Sequence, residues 1–201
     1  MKMLGTMASV VIISFPLSLS VFAHGDVTEH YKSIDIAGAW ESGCEKYKGS
    51  YIKLVFENTK KDWELNSSIF ADKKCKNPLI TVNIEGPYKI EGPSNAELGA
   101  FEGAFYFKNK SITVHNKSAV AFVNNKNCMK RNWTLNKAYS INHSGCLGLG
   151  QLPLKKCKAD YDLVKIDGNG MLSFGVRPSD NNLCDVKRRP KKISPLKLRK
   201  V

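Results

Sequence analysis

The sequence predicts an all-β fold, namely an antiparallel β-barrel or lipocalin-like half-barrel with disulfides and few short helices. Short segments of alternating apolar and polar residues recur along the chain, and turn signals separate them about every 8 to 12 residues. After the N-terminal apolar stretch, no segment keeps an apolar 3.6-residue period over about three turns. With 201 residues, the chain is long enough for one domain with a sizeable core.

Residues 1–23 have the composition of a cleavable secretory signal peptide. A single charge at Lys2 precedes a mostly apolar stretch, and Ala23 satisfies the small-residue rule for cleavage. The stretch is short for a bilayer span and contains Pro16, so we expect a secreted or periplasmic protein rather than an integral membrane protein. The remaining chain is predicted to form a flexible N-terminal segment, a single β-barrel-like domain and a basic C-terminal tail, at residues 24–35, 36–186 and 187–201.

Alternation identifies the strands in chain order. Ile52, Leu54 and Phe56 share one face, and a polar turn separates them from a return strand that begins at Trp63. The sequence Asp-Gly-Asn-Gly at 167–170 is a strong hairpin signal between two further strands. The other candidate strands are 80–84, 101–108, 112–114, 119–123, 133–135, 139–141, 161–166 and 171–176, and a short helix is expected within 95–100.

Residues 101–108 are apolar on both faces of the predicted strand. Such a strand is usually buried in a packed core, which is the simpler interpretation. In a closed barrel, however, the second apolar face can line a cavity. If it does, the candidate ligand-binding residues are Tyr51, Leu54, Phe56, Trp63, Phe105 and Phe107.

The chain has six cysteines, and no two are close enough for a Cys-x-x-Cys motif. This spacing argues against a zinc ribbon and against a thioredoxin-type redox pair. Export and an even count favour three disulfides, although the sequence permits several connectivities. Two cysteines lie at the mouth of the predicted hairpin and should pair with each other. The favoured pairs are Cys157–Cys184, then Cys44–Cys75, which leaves Cys128–Cys146.

No motif in the sequence indicates an enzyme. Nucleophile elbows, phosphate-binding glycine loops, His-Glu-x-x-His motifs and calcium loops are absent, so we expect no catalytic residue, metal or cofactor. One alternative is a copper site, because cleavage after Ala23 would place His24 at the N-terminus. The resulting His-Gly start resembles that of lytic polysaccharide monooxygenases. No spacing selects a catalytic carboxylate pair among Asp35, Glu41, Glu45, Asp160 and Asp162.

The chain is strongly basic, with a formal net charge of +13. Residues 187–201 read KRRPKKISPLKLRKV and contain no acid, so this segment could bind an anionic surface or remain a solvated tail. Nucleic acid is not an expected partner, because the protein is predicted to be exported.

Several motifs resemble those of the adenomatosis-polyposis-coli-down-regulated family. The N-terminal half carries GAWESGCE at 38–45, then DKKCKNP at 72–78 and GPY at 86–88. The C-terminal half carries ADYDLV at 159–164 and CDVKRRP at 184–190. The resemblance covers about residues 36–199 as a single copy, as in exported bacterial members of that family.

The resemblance implies a disulfide-bonded β-barrel-like domain with an apolar pocket for a lipid acyl chain. In animals, such domains antagonise Wnt, a lipidated ligand. Within the shared motifs, Trp40 is interpreted as closing one barrel end beside a disulfide, and Arg188-Arg189 as a partner for Glu45. The residues interpreted as structural are Gly38, Trp40, Glu45 and Pro78.

The sequence therefore favours an exported, non-enzymatic protein that binds a lipid or another apolar small molecule. The first alternative is an envelope or host-facing module that binds a protein or an acidic surface through the basic tail and barrel rim. The second is a secreted enzyme, such as a copper oxygenase.

Overall fold

Eight antiparallel strands close into a ring in the computed structural model, which describes residues 33–125, 128 and 132–201. The elements are β1 Gly38–Ser42, β2 Glu45–Tyr47, β3 Ser50–Asn58, β4 Asp62–Phe70, β5 Pro78–Pro93, β6 Phe101–Tyr106, β7 Asn109–Val114, α1 Lys117–Asn125, β8 Ala138–Ser140, β9 Ala159–Ile166, β10 Leu172–Phe174 and β11 Leu198–Lys200. The all-β barrel predicted from the sequence is confirmed.

The ring runs in the order β3–β1–β11–β10–β9–β6–β5–β4 and returns to β3. Every neighbouring pair is antiparallel. Because the strands close into a ring, the ring itself leaves no open sheet edge. Alternate residues on each strand face the interior. On β5, for example, Ile80, Val82 and Ile84 are each at most 6% exposed.

The long strand β5 divides the sheet at one end of the barrel. One edge of β5 pairs with β4, while the other pairs first with β7 and then with β6. Gly86 lies at this division, where a Cβ atom would come within 2.2 Å of the Tyr106 carbonyl oxygen. A glycine is needed here because the backbone of the β6–β7 connection crosses so closely.

The C-terminal boundary of the domain was predicted wrongly. Residues 187–201 were expected to form a basic tail, but β11 completes the ring between β1 and β10. Leu198 pairs with Ser42 and Leu172 and is 1% exposed. The alternation of Leu196 and Leu198 with basic residues is a strand pattern, which the high basic content of the segment concealed.

Three other local predictions were wrong. Residues 119–123 form part of α1 rather than a strand, because the Asn116 side chain accepts a hydrogen bond from the Ala119 amide (3.0 Å) and caps the helix. Residues 133–135 are irregular, and the Trp133 indole N–H donates to the Asn124 side chain at 2.9 Å. The 95–100 segment is a turn between β5 and β6 rather than a helix.

Three disulfides connect the loops, and they are the predicted pairs Cys44–Cys75, Cys128–Cys146 and Cys157–Cys184. The first joins the β1–β2 connection to the β4–β5 connection. The third lies beside the β9–β10 hairpin, as its position in the sequence predicted. Within the described residues, no helix is long and apolar enough to cross a bilayer. The predicted signal peptide and most of the predicted N-terminal segment, residues 1–32, lie outside the described residues.

Candidate functional site

A cavity of about 970 Å³ lies inside the barrel. Pockets for small molecules generally measure about 300–1,000 Å³, so this one is at the upper end. Strands β3, β4 and β5 provide one continuous part of its wall, and α1, the loop at 147–152 and the segment at 174–184 provide others. A second hollow of about 420 Å³ lies beside the Cys44–Cys75 disulfide and is lined partly by the mutually paired Glu41, Lys53 and Arg199. The barrel cavity is therefore the candidate site.

A connected cluster of aromatic side chains forms part of the cavity wall. The Trp63 ring lies 6.4 Å from Phe56 and 5.3 Å from Phe105, measured between ring centroids. Phe174 contacts both phenylalanines, at 4.7 Å and 5.6 Å. The Trp63 indole N–H donates to the Tyr106 carbonyl oxygen at 3.0 Å, which fixes the ring in place. The cluster offers apolar contact area without an unpaired indole donor.

Aliphatic side chains extend the apolar wall beyond the aromatic cluster. They come from alternate positions of four strands, which the barrel turns inward together. The aliphatic lining residues at these positions are Ile52, Leu54, Leu65, Ile69, Ile80, Val82, Ile84 and Leu198, and Leu79 near the start of β5 also lines the cavity.

Five of the six candidate ligand-binding residues line this cavity, namely Leu54, Phe56, Trp63, Phe105 and Phe107. Tyr51 is the exception and does not line it. On β3, the inward positions are the even-numbered ones, such as Leu54 and Phe56, so Tyr51 lies on the outer face of the strand. Its inclusion among the lining candidates was therefore wrong.

The mouth of the cavity has an apolar rim. Tyr47, Phe122, Leu147 and Val176 all line the cavity and are also 40–56% exposed. They come from β2, α1 and two loops, so separate parts of the chain converge at the opening. An apolar patch that continues from solvent into a cavity is typical of a ligand entrance.

Two acids and an arginine form an ionic group on one side of the cavity. Arg177 pairs with Asp160 and reaches an Asp162 oxygen at 3.6 Å. Burial raises the pKa of Asp162 to about 7, although Arg177 and the amides of Leu163 and Gly175 counteract it. Burial alone would lower the Arg177 pKa, but the two carboxylates outweigh it and raise that pKa. Both acids therefore already have a cationic partner.

A lysine, Lys110, also lines the cavity and is only 2% exposed. Its Nζ atom lies 3.6 Å from the centroid of the Phe107 ring. Burial lowers the pKa of Lys110 to about 8. Lys110 was not among the residues predicted from the sequence to form a site, although it occupies the same alternating positions as the buried Ile112 and Val114. A lysine in an apolar register is the signal that could have identified it.

The four structural motif residues have clear positions. The Trp40 indole N–H donates to the Ile36 carbonyl oxygen at 2.9 Å, and Trp40 is 2% exposed. Gly38 has a φ of 123°, which only glycine adopts readily, and Pro78 begins β5. Glu45 is exposed on β2.

The expected pairing of Glu45 with Arg188-Arg189 is contradicted. Arg188 pairs with Asp180, while Arg189 pairs with Glu91 and Glu102 on the outside of the barrel. Glu45 is on β2, which pairs with β3 outside the closed ring, and it forms an ion pair with neither arginine.

The structure offers little support for a metal centre. Among the described residues, Cys157, Asp160 and Cys184 bring potential metal-ligand atoms within 4.8 Å of one another. The two cysteines form a disulfide, so they offer no thiolate to a metal. His24, the candidate copper ligand, lies outside the described residues.

The sequence matches the model of a known protein family. The family model described as adenomatosis polyposis coli down-regulated 1 matches residues 19–186, which is most of the chain. No curated protein matches the sequence. The matched range includes the cavity-lining strands β3 to β7, all six cysteines and the ionic group around Asp162. The chain belongs to the adenomatosis polyposis coli down-regulated 1 family.

Proposed function

We propose that the protein is an exported, non-enzymatic binding module that holds an acyl chain or a similar apolar ligand inside the barrel. The observation that carries the proposal is the cavity of about 970 Å³, which has a mostly apolar wall and an apolar rim at its mouth. The family is not a known enzyme family, and a barrel domain of this family is consistent with a binding or interaction module.

The energetics of an acyl chain suit this wall. Burying one methylene contributes about 0.8 kcal/mol, so a chain that places ten methylenes in the cavity gains about 8 kcal/mol before the cost of association. The aromatic cluster provides rigid contact area that loses little side-chain entropy on binding.

A location outside the cytoplasm would support the same function, because an extracytoplasmic protein can meet lipids shed from or held in an envelope. Three disulfides are typical of an oxidising compartment, and residues 1–23 have the composition of a signal peptide. We therefore propose that the chain acts in a periplasmic or extracellular space.

The alternative of an acidic partner for residues 187–201 has less support. Four of the basic side chains in this segment already pair with acids of the barrel: Arg188 with Asp180, Arg189 with Glu91 and Glu102, Lys197 with Asp167, and Arg199 with Glu41. These pairs bind the segment to its own domain and reduce the charge that it presents to a partner.

Lipid extraction from the native protein tests the proposal. The protein is exported through an oxidising compartment, purified without detergent and extracted with organic solvent for mass spectrometry. We expect a stoichiometric acyl-chain species from the wild type and from Tyr51→Trp, which enlarges an outward side chain on β3. Leu54→Trp fills part of the cavity from the same strand and should carry much less lipid.

The proposal is contradicted if the wild-type protein yields no lipid on extraction and does not bind fatty acids or phospholipids in titrations. Equal lipid content in the two tryptophan variants would place any bound lipid outside the cavity. Circular dichroism and thermal denaturation establish that both variants are folded.

A further inference from the structure

We propose that the cavity ligand carries a negatively charged group and that Lys110 binds this group. The inference rests on the proposed function and adds the chemical class of the ligand, an anionic amphiphile. The observation behind it is a buried ammonium group that faces the cavity without an acidic partner.

Lys110 is held in place by its backbone rather than by its charge. It lies on β7, opposite Ile84 of β5, and its amide N–H donates to the Asn142 side chain at 2.7 Å. Alternation places its side chain on the same face as those of Ile112 and Val114, which are fully buried. The strand therefore directs the lysine inward.

The ammonium group has an aromatic neighbour, and no carboxylate contacts it directly. Within the part of the chain that the structure describes, Nζ lies over the Phe107 ring and forms no hydrogen bond or ion pair. Besides burial, which lowers the pKa of Lys110, the charge of Asp160 raises it and that of Arg177 lowers it. Asp160 and Asp162, however, are themselves engaged by Arg177. Lys110 therefore has no carboxylate of its own.

An unpaired buried charge is unfavourable, and an anion supplied by the ligand would relieve the cost. The pKa of Lys110, although lowered by burial, stays near 8, so most of the side chain is protonated at pH 7. Near that pH, Asp162 titrates, which further limits the negative charge on this side of the cavity.

The position of Lys110 also sets the orientation of the ligand. Phe107 joins the lysine to the aromatic cluster, because its ring lies 6.1 Å from that of Trp63. An acyl chain lying along the cluster would thus bring a terminal carboxylate or phosphate to Nζ. Neutral lipids of the same length would make the apolar contacts but not the ionic one.

Three probes of equal chain length separate these contributions: hexadecanoic acid, hexadecyl phosphate and 1-hexadecanol. Their dissociation constants are measured at pH 7 for the wild type, Lys110→Met, Lys110→Arg and the control Lys108→Met. Lys108 is exposed in the connection before β7, so its replacement changes the net charge equally without altering the cavity. The acid and the phosphate distinguish a fatty acid from a phospholipid headgroup as the source of the anion.

We expect the wild type to bind at least one anionic probe about 10- to 100-fold more tightly than the alcohol, as for a hydrogen bond to a charged group. Lys110→Met should abolish this preference while retaining affinity for 1-hexadecanol. Lys110→Arg should keep a preference for the anion, and Lys108→Met should match the wild type.

Two results would overturn the inference about the anion while leaving the proposed apolar-ligand binding intact. An anion preference that survives in Lys110→Met shows that another group binds the anion. A wild type that binds the alcohol as tightly as both anions shows that the charge is not recognised. If no probe binds to the folded wild type, the proposed function fails together with this inference.

Discussion

Replacing Lys110 by methionine should stabilise the ligand-free barrel. The side chain is 2% exposed, and burial lowers its pKa from the ordinary 10.5 to about 8. This difference corresponds to about 3 kcal/mol of destabilisation of the folded state at pH 7. The contact between Nζ and the Phe107 ring is worth about 1 kcal/mol and is lost in the variant. We therefore expect Lys110→Met to raise the free energy of unfolding by about 2 kcal/mol.

The pH dependence provides a sharper signature than the change at a single pH. Because the folded pKa lies below the unfolded one, the unfolded chain binds more protons between about pH 8 and 10.5. The cost of burying the charge is fully present below pH 8 and disappears as the pH rises through this window. The wild type should therefore gain stability relative to Lys110→Met and approach or pass it near pH 10.5.

Urea denaturation of the delipidated wild type and variant, in buffer without a thiol reductant, measures the difference in the free energy of unfolding at each pH from 7 to 10.5. Using the difference between wild type and variant removes the contribution of other groups, including Tyr88, whose pKa is raised by burial. The exposed replacement Lys108→Met should change stability by less than about 0.5 kcal/mol. A Lys110→Met variant that is less stable at pH 7, with a difference that does not vary with pH, would refute the reasoning.

Three further predictions concern the barrel itself. Burial raises the pKa of Asp162, so the folded state binds more protons than the unfolded state between about pH 4 and 7, and the Asp162 contribution to stability falls as the pH rises through this range. Asp162→Asn should remove this fall, and urea denaturation from about pH 4 to 7 measures the free energy of unfolding of both proteins. Leu198→Asp should destabilise the barrel by more than about 3 kcal/mol by burying a charge in β11, whereas the exposed Lys200→Asp should have a much smaller effect in thermal denaturation. Asn116→Ala should cost about 1 kcal/mol through loss of the helix cap, and an unchanged melting temperature would contradict that role.

The sequence was most informative where side-chain alternation and burial agree. Ile52, Leu54 and Phe56 were assigned to one face, and the structure places all three on the cavity wall. Cys157 and Cys184 were paired from their positions around a hairpin. Both inferences rely on local geometry, which a sequence pattern describes directly.

Elements that depend on distant partners were harder to predict. The basic content of residues 187–201 suggested a solvated segment, since nothing nearby in the sequence identifies β1 and β10 as neighbours of β11. Residues 119–123 have a strand-like composition, and only the cap at Asn116 and the spacing of Ala119 and Val123 indicate a helix.

The candidate site likewise combines residues that a local sequence pattern predicts with residues whose role depends on distant parts of the chain. Its apolar wall could be predicted from the alternation of side chains, apart from Tyr51, which was included among the candidates although the same alternation places it on the face opposite Leu54 and Phe56. The strand register could have marked Lys110 as inward-facing, but the lack of a carboxylate in contact with it depends on its neighbours in three dimensions. That information exists only once Arg177 is seen to engage Asp160 and Asp162.

The pairing of β1 with β11 has a consequence for the order in which the chain folds. Glu41 and Arg199 meet across this pair although 158 positions separate them, so the ring cannot close until both segments are present. The three disulfides span only 31, 18 and 27 positions, and each can form within a short segment of the chain. Oxidation can thus precede closure of the ring, which depends on a late, long-range docking step of the kind that slows folding. Until that step, the open precursor exposes its apolar interior and requires protection from aggregation.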